Sequence, residues 1–219
     1  MDTQNDFILD GVDPDLAERI DVGRRSLFSR YAPVLALGSA PLVLAAASSE
    51  AFAAGGLPQA VVDVLNFALT LEYLEAAFYT KGNLSLNLIP QEYKLLFATI
   101  GAHEVAHVAL LRSALGAAAV EAPKVDFTAG GKYADVFSNF KTFATLSATF
   151  EDLGVAAYKG QAGNLAGTPV LTTALQIHSV EARHASAVRP LIGKAGYDGA
   201  FDKPKTKAQV LAAAKPFLA

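Results

Sequence analysis

A glutamate and a histidine three residues apart recur in two separate stretches, and this duplication constrains the fold more than any other feature of the chain. In residues 102–116, AHEVAHVALLRSALG, the pair is Glu104 and His107. In residues 179–193, SVEARHASAVRPLIG, it is Glu181 and His184, followed by Arg189 and Gly193 at the offsets of Arg112 and Gly116. On a helix this spacing sets a carboxylate and an imidazole side by side on one face. Ahead of each copy lies another acidic but largely apolar stretch, LEYLEAAFY at 71–79 and FEDLGVAAY at 150–158. Glu72 precedes Tyr79 by seven residues, and Glu151 precedes Tyr158 by seven. The ordered set is Glu72, Glu104, His107, Glu151, Glu181 and His184.

A lone Glu-x-x-His on an amphipathic helix is usually a solvated face. Here Glu72 lies in a stripe of Ala68, Leu71, Ala76 and Tyr79, and Glu151 is flanked by small and apolar residues. Both carboxylates therefore face a core, where bare charge is costly. Two divalent cations held by four carboxylates and two neutral imidazoles make a neutral cluster, as in dinuclear carboxylate bundles. The chain has no cysteine, which excludes thiolate metal sites, iron–sulfur clusters, thiol catalysis and disulfides. Oxygen and nitrogen ligands suit two iron or manganese ions. In this reading Glu104 and Glu181 bridge the ions, Glu72 and Glu151 bind terminally, and His107 and His184 each cap one ion. Tyr79 and Tyr158 are the candidate catalytic groups, as hydrogen-bond donors or redox-active tyrosines. The plain alternative is a core tyrosine with its hydroxyl satisfied. Glu75 reads as a surface carboxylate, with support of a neighbouring ligand as its alternative, and Asp152 as turned to solvent or to a histidine. His103 reads as off the ligand face, His178 as a surface histidine with an approach to the site as its alternative, and Arg112 and Arg189 as structural partners of acidic residues.

The surrounding periodicity predicts an all-α chain. A helix over 60–81 is ended by Gly82-Asn83, and a second runs from Pro90 to about Leu115, stopping at Gly116. Residues 117–133 lack a sustained period and read as a long crossover. A third helix is expected over about 134–164, with Gly154 and Gly160 weakening its latter part. A fourth is expected over about 170–192, with Thr168 as N-cap, Pro169 at its first position and Pro190 kinking its end. Two helical hairpins joined by a long crossover give a four-helix bundle of ferritin-like connectivity. The bundle is expected to occupy 54–196, with 197–219 a tail holding a short helix.

Residues 1–53 are set apart from the fold. A polar, acidic start leads to Arg24 and Arg25, then an apolar run over 31–47 and Ala51-Phe52-Ala53 as a cleavage-like site. With Ser26-Leu27-Phe28, the paired arginines resemble a twin-arginine export signal, with Leu and Phe in swapped order. A periplasmic or exported location is expected, with cleavage near Ala53–Ala54. The alternative is an uncleaved membrane anchor, since an apolar run of about 17 residues is at the lower edge for a span.

The chain resembles the ferritin-like superfamily. Leu65-Asn66 with Glu72 and Tyr79 is similar to the first helix of bacterioferritins, and Glu104/His107, Glu151 and Glu181/His184 match that family's ligands in order. The leader and the LEYLEAAFYTKG opening look more like exported ferritin-like domain proteins grouped with desiccation-related proteins. The resemblance implies the bundle and the metal site more firmly than a reaction. Bacterioferritins hold haem through methionine, and the only methionine here is Met1, so no haem is expected. An exported, pre-folded chain is also an awkward subunit for a large storage cage.

The leading expectation is an exported dinuclear-metal oxidoreductase acting on oxygen or peroxide, or oxidising metal. Its rival is a non-catalytic stress- or desiccation-protective protein on the same scaffold. No stretch marks an organic-substrate pocket. With a net charge of −3 and no concentrated basic face, nucleic acid is not an expected partner. Metal ions, oxygen or peroxide and the export machinery are, and a homo-oligomer stays open.

Overall fold

The computed structural model describes residues 56–197 and 199–219; the leader, including Arg24, Arg25 and Ala51–Ala53, lies outside the described residues. Five α-helices follow in order: α1 Gln59–Leu84, α2 Lys94–Leu115, α3 Phe140–Gln161, α4 Val170–Val188 and α5 Lys207–Ala214. α1 packs chiefly on α2, and α3 on α4. Each pair is joined by a short loop, so each is an antiparallel hairpin, and residues 116–139 cross from one hairpin to the other. The all-helical, ferritin-like bundle that the periodicity predicts is the architecture present.

Several boundaries differ from the sequence reading, for reasons of packing or of local hydrogen bonding. α1 continues through Gly82 to Leu84 instead of stopping there. Gly82 is an inter-helix contact: a Cβ on it would sit 2.3 Å from Phe143 Cε2. α3 begins at Phe140, because the Asn139 side chain caps it by accepting from the N–H groups of Lys141 and Thr142. Thr168 does not cap α4; its hydroxyl donates to the Leu165 carbonyl at 2.7 Å, and Pro169 occupies the cap position. Near Pro190 the α-helix gives way to a tighter turn, Arg189–Ile192, which ends at the left-handed Gly193.

The core divides into two clusters. One is aromatic: Phe78 stacks on Phe143 with ring centres 4.8 Å apart and meets Phe150 edge-on at 5.0 Å. The other is aliphatic and includes Leu65, Leu69, Leu110, Leu111, Val170 and Ile177. The C-terminal segment belongs to the aromatic cluster, with Val210, Ala214 and Phe217 buried in it. A reciprocal capping box between Thr206 and Gln209 starts α5. The Lys205 N–H donates to the Ala156 carbonyl at 3.0 Å, and a Cβ on Gly160 would lie only 1.9 Å from the Lys205 carbonyl oxygen. Gly160 is therefore the place where the tail crosses α3. Val125 in the crossover forms an isolated antiparallel bridge with Leu218, tying the crossover to the C-terminus.

The stretch Gln91–Ala118 is long and apolar enough to cross a membrane by length and composition. Its apolar residues include Phe97, Ile100, Leu110, Leu111 and Leu115, all buried in the two core clusters.

Candidate metal centre

Each of the four long helices brings polar groups to one point in the bundle. α1 contributes Glu72, α2 Glu104 and His107, α3 Glu151, and α4 Glu181 and His184. The four glutamates are 0% exposed, and His107 and His184 are 8% and 5% exposed. Their donor atoms form two overlapping sets, Glu72–Glu104–His107–Glu181 and Glu104–Glu151–Glu181–His184. Within each set one atom from every member lies within 4.8 Å of the others. Glu104 and Glu181 belong to both sets.

The local geometry is that of a ligand cage. His107 Nδ1 faces Glu72 Oε2 at 3.2 Å, Glu104 Oε2 at 3.3 Å and Glu181 Oε1 at 3.2 Å. His184 Nδ1 faces Glu104 Oε1 at 3.0 Å and Glu151 Oε2 at 3.1 Å. One imidazole proton cannot serve three carboxylate oxygens at once, whereas a cation among them can. Among the described residues, Glu104 Oε1 and both oxygens of Glu181 are buried without a hydrogen-bond partner. Glu104 Oε1 and Glu181 Oε1 are within ion-pair distance of the histidines, yet neither receives an aligned hydrogen bond. Buried acceptors left open cost about 1–3 kcal/mol each. The oxygen-rich, imidazole-containing donor set fits a hard or borderline divalent metal.

Without metal, protons balance the charge. Burial pushes the carboxyls of Glu181 and Glu151 above the usual carboxylate range; for Glu181 the neighbouring Glu104 adds to this. Burial by itself would lower His184, but the adjacent carboxylates of Glu104 and Glu151 outweigh it and push the imidazole up to about 10. His107 is raised in the same way, chiefly by Glu72 against the opposing effect of burial. A metal ion entering this cluster displaces protons from it.

Tyr79 and Tyr158 are joined to the cluster crosswise. Tyr79, on α1, donates to Glu151 Oε1 on α3 at 2.5 Å; Tyr158, on α3, donates to Glu72 Oε1 on α1 at 2.5 Å. Each tyrosine therefore holds the glutamate of the other hairpin. Burial, followed by the charge of the glutamate it meets, keeps each phenol well above its usual range and protonated.

Three further residues depart from the sequence reading, and a fourth, His103, lies outside both donor sets as expected but touches one of their histidines. Glu75 is no surface group: it is 3% exposed, and its carboxyl is raised well above the ordinary range by burial and then by Glu181 and Glu104. The available signal was its position three residues beyond Glu72, the spacing that puts Glu104 beside His107. Gly154 makes room at the site, since a Cβ there would lie 2.7 Å from Glu181 Oε2 and 3.3 Å from Glu75 Oε1. His103 stands beside Glu104 in sequence but reaches across to α4, its Nδ1 2.9 Å from His184 Nε2 with the rings stacked. Among the described residues Arg112 meets no acid; it donates to the Tyr73 hydroxyl at 2.5 Å. Arg189 does pair with an acid, Asp152, at 2.7 Å. His178 stays outside the cluster, its Nε2 3.9 Å from Asp202.

The family model described as a ferritin-like domain matches residues 60–194, a span that contains all six cluster residues. The chain belongs to the ferritin-like domain family. No curated protein matches it in sequence. In this ferritin-like protein the helix pairs do more than carry the cluster residues. They also enclose, beside Tyr158, an apolar cavity of about 20 Å³ lined by Leu65, Ala68, Leu71, Leu111 and Ile177 among others. That is room for roughly one water-sized molecule.

Proposed function

We propose that the protein holds a pair of iron or manganese ions and uses them for redox chemistry on oxygen or peroxide, or for oxidation of metal ions. The observation that carries this reading is the overlap of the two donor sets at Glu104 and Glu181. Two shared carboxylates with one private glutamate and one histidine on each side are what a bridged pair requires. When bound, such a pair supplies one-electron redox change at each ion and a place for a small oxygen species. Glu104 and Glu181 would bridge the ions, Glu72 with His107 and Glu151 with His184 would complete the two ends, and Tyr79 and Tyr158 would hold the terminal glutamates in place. The small apolar cavity beside Tyr158, with room for about one water-sized molecule, supports a diatomic or similarly small reactant.

The leader places this activity outside the cytoplasm in our reading, with export through a twin-arginine-like signal. Elemental analysis of protein purified from its own periplasm tests the proposal, followed by oxygen- and peroxide-consumption assays of the loaded protein. About two iron or manganese ions per chain and turnover above free-metal background are expected. Two ions without turnover would replace the enzyme with a protective metal-binding protein. No bound metal would end both metal readings.

A further inference from the structure

The two halves of the site are not equivalent, and the inequivalence is chemical. Aligning LEYLEAAFY with FEDLGVAAY places Glu72 on Glu151, Tyr79 on Tyr158 and Glu75 on Gly154. At one position of the repeat, one hairpin therefore carries a carboxylate where the other carries no side chain. The two residues meet in space. A Cβ on Gly154 would lie 3.3 Å from Glu75 Oε1 and 2.7 Å from Glu181 Oε2, so both carboxylates reach into the volume that a side chain at 154 would fill. Glu75 is 3% exposed and Glu181 is 0% exposed. Neither oxygen of Glu181 has a hydrogen-bond partner among the described residues.

A glutamate buried in an apolar bundle is costly unless something compensates its charge or satisfies its oxygens. Among the described residues no lysine or arginine is buried in the bundle, and after burial the strongest influences on Glu75 are four more carboxylates: Glu181, Glu104, Glu72 and Glu151. A surface role is excluded by burial, and an ion pair by the like charges around it. In the metal-free fold a proton compensates Glu75; its place beside Glu181 in the space at Gly154 makes a cation the alternative when metal is present.

We infer that Glu75 is a fifth carboxylate ligand of the metal site, entering on the Glu181 side through the space left open by Gly154. This rests on the metal-binding reading above and adds to it a seventh protein ligand on one side only. Four glutamates balance two divalent ions; the fifth makes the pair of positions unequal in charge, so the two ions bind with different affinities. Gly154 is then a ligand-clearance position, and the helix retains its weak helix former there for that reason.

The test is a manganese(II) titration of the metal-free chain, followed by calorimetry and by the loss of the free-ion electron paramagnetic resonance signal. It compares wild type with Glu75→Gln, which keeps the shape and removes the anionic oxygen. Wild type should take up two ions per chain. Glu75→Gln should bind one of them at least tenfold more weakly, with an unchanged helical circular dichroism spectrum. Two ions bound by the variant with wild-type affinities would overturn the inference and leave the dinuclear site intact. No manganese bound by wild type would overturn the metal-binding reading itself. Should Glu75→Gln lose its helical signal, Gly154→Ala serves as the second variant, because it preserves every charge and crowds Glu75 together with Glu181. Wild-type affinities in that variant would likewise overturn the inference.

Discussion

The α1–α2 hairpin and the α3–α4 hairpin place a glutamate, a tyrosine, a Glu-x-x-His pair and an arginine at matching positions, and then diverge beside the glutamate, the Glu-x-x-His pair and the arginine. One turn after the first glutamate stand Glu75 in one hairpin and Gly154 in the other. One residue before the second glutamate stand His103 and Val180, and only His103 supplies a ring nitrogen to a ligand histidine, His184. The arginine closing each hairpin finds the residue after the first glutamate in both cases: Arg112 meets the neutral Tyr73, and Arg189 the charged Asp152. The shared positions build a cage that needs two-fold balance. The divergent ones show that the two halves are free to specialise once that balance is met.

The largest test of this comparison is at the residues common to both donor sets. Glu104→Ala or Glu181→Ala should lower metal content from about two ions per chain to near zero, read by elemental analysis. Retention of a full ion in either variant would mean that the sets do not share it. Next are the private ligands. Glu72→Ala and Glu151→Ala should each leave about one ion, and the remaining ion should differ in affinity between the two variants. Identical affinities would make the hairpins equivalent after all.

Acidity separates the metal-free from the loaded state. In the metal-free fold Glu151, Glu181 and Glu75 titrate above 4.5, and His184 titrates at about 10 instead of 6.5. Over this window the folded chain binds more protons than the unfolded one, so its stability falls as pH rises. His103 and His178, which burial pushes below 6.5, oppose this only near and below that pH. The chelator-treated protein should therefore melt at a lower temperature at pH 8.5 than at pH 5. The gain on adding manganese(II) should grow with pH, because fewer protons have to be displaced. Differential scanning calorimetry checks both; a metal-free melting temperature that rises over this range would show that protons do not hold the empty cluster together.

The tyrosine exchange should have a smaller effect. Tyr79→Phe and Tyr158→Phe each strand a buried carboxylate oxygen, at a cost of about 1–3 kcal/mol measured by denaturant unfolding. The cost should be greater for Tyr79, which is 0% exposed, than for the part-buried Tyr158. Smallest is the arginine pair. Arg189→Ala breaks a partly exposed ion pair and should cost no more than about 1 kcal/mol, diminishing with salt. Arg112→Ala loses a neutral contact and should show no such salt dependence.

The two hairpins and the gathering of the six Glu and His residues into one buried cluster were legible in the chain, because helical spacing shows which residues share a face. Three and seven residues are helical repeats, and a duplicated pattern needs no knowledge of how the helices dock. Glu75 shares that spacing, yet spacing cannot say whether a carboxylate at the edge of an inward stripe meets solvent or another helix. Gly82, Gly154 and Gly160 look like weak helix formers in one dimension. In three they are the points where Phe143, two carboxylates and the Lys205 backbone come closest.

What the sequence determined by itself, then, was the periodic part: which residues share a helix face, and that two such faces are copies. What the tertiary structure alone decided was which copy touches which. Tyr79 reaches Glu151 and Tyr158 reaches Glu72 across 72 and 86 residues, and the C-terminal Phe217 closes the aromatic core against Phe150 at 4.9 Å. Such contacts depend on the approach of one helix to another, and close packing leaves room for only one arrangement of their side chains.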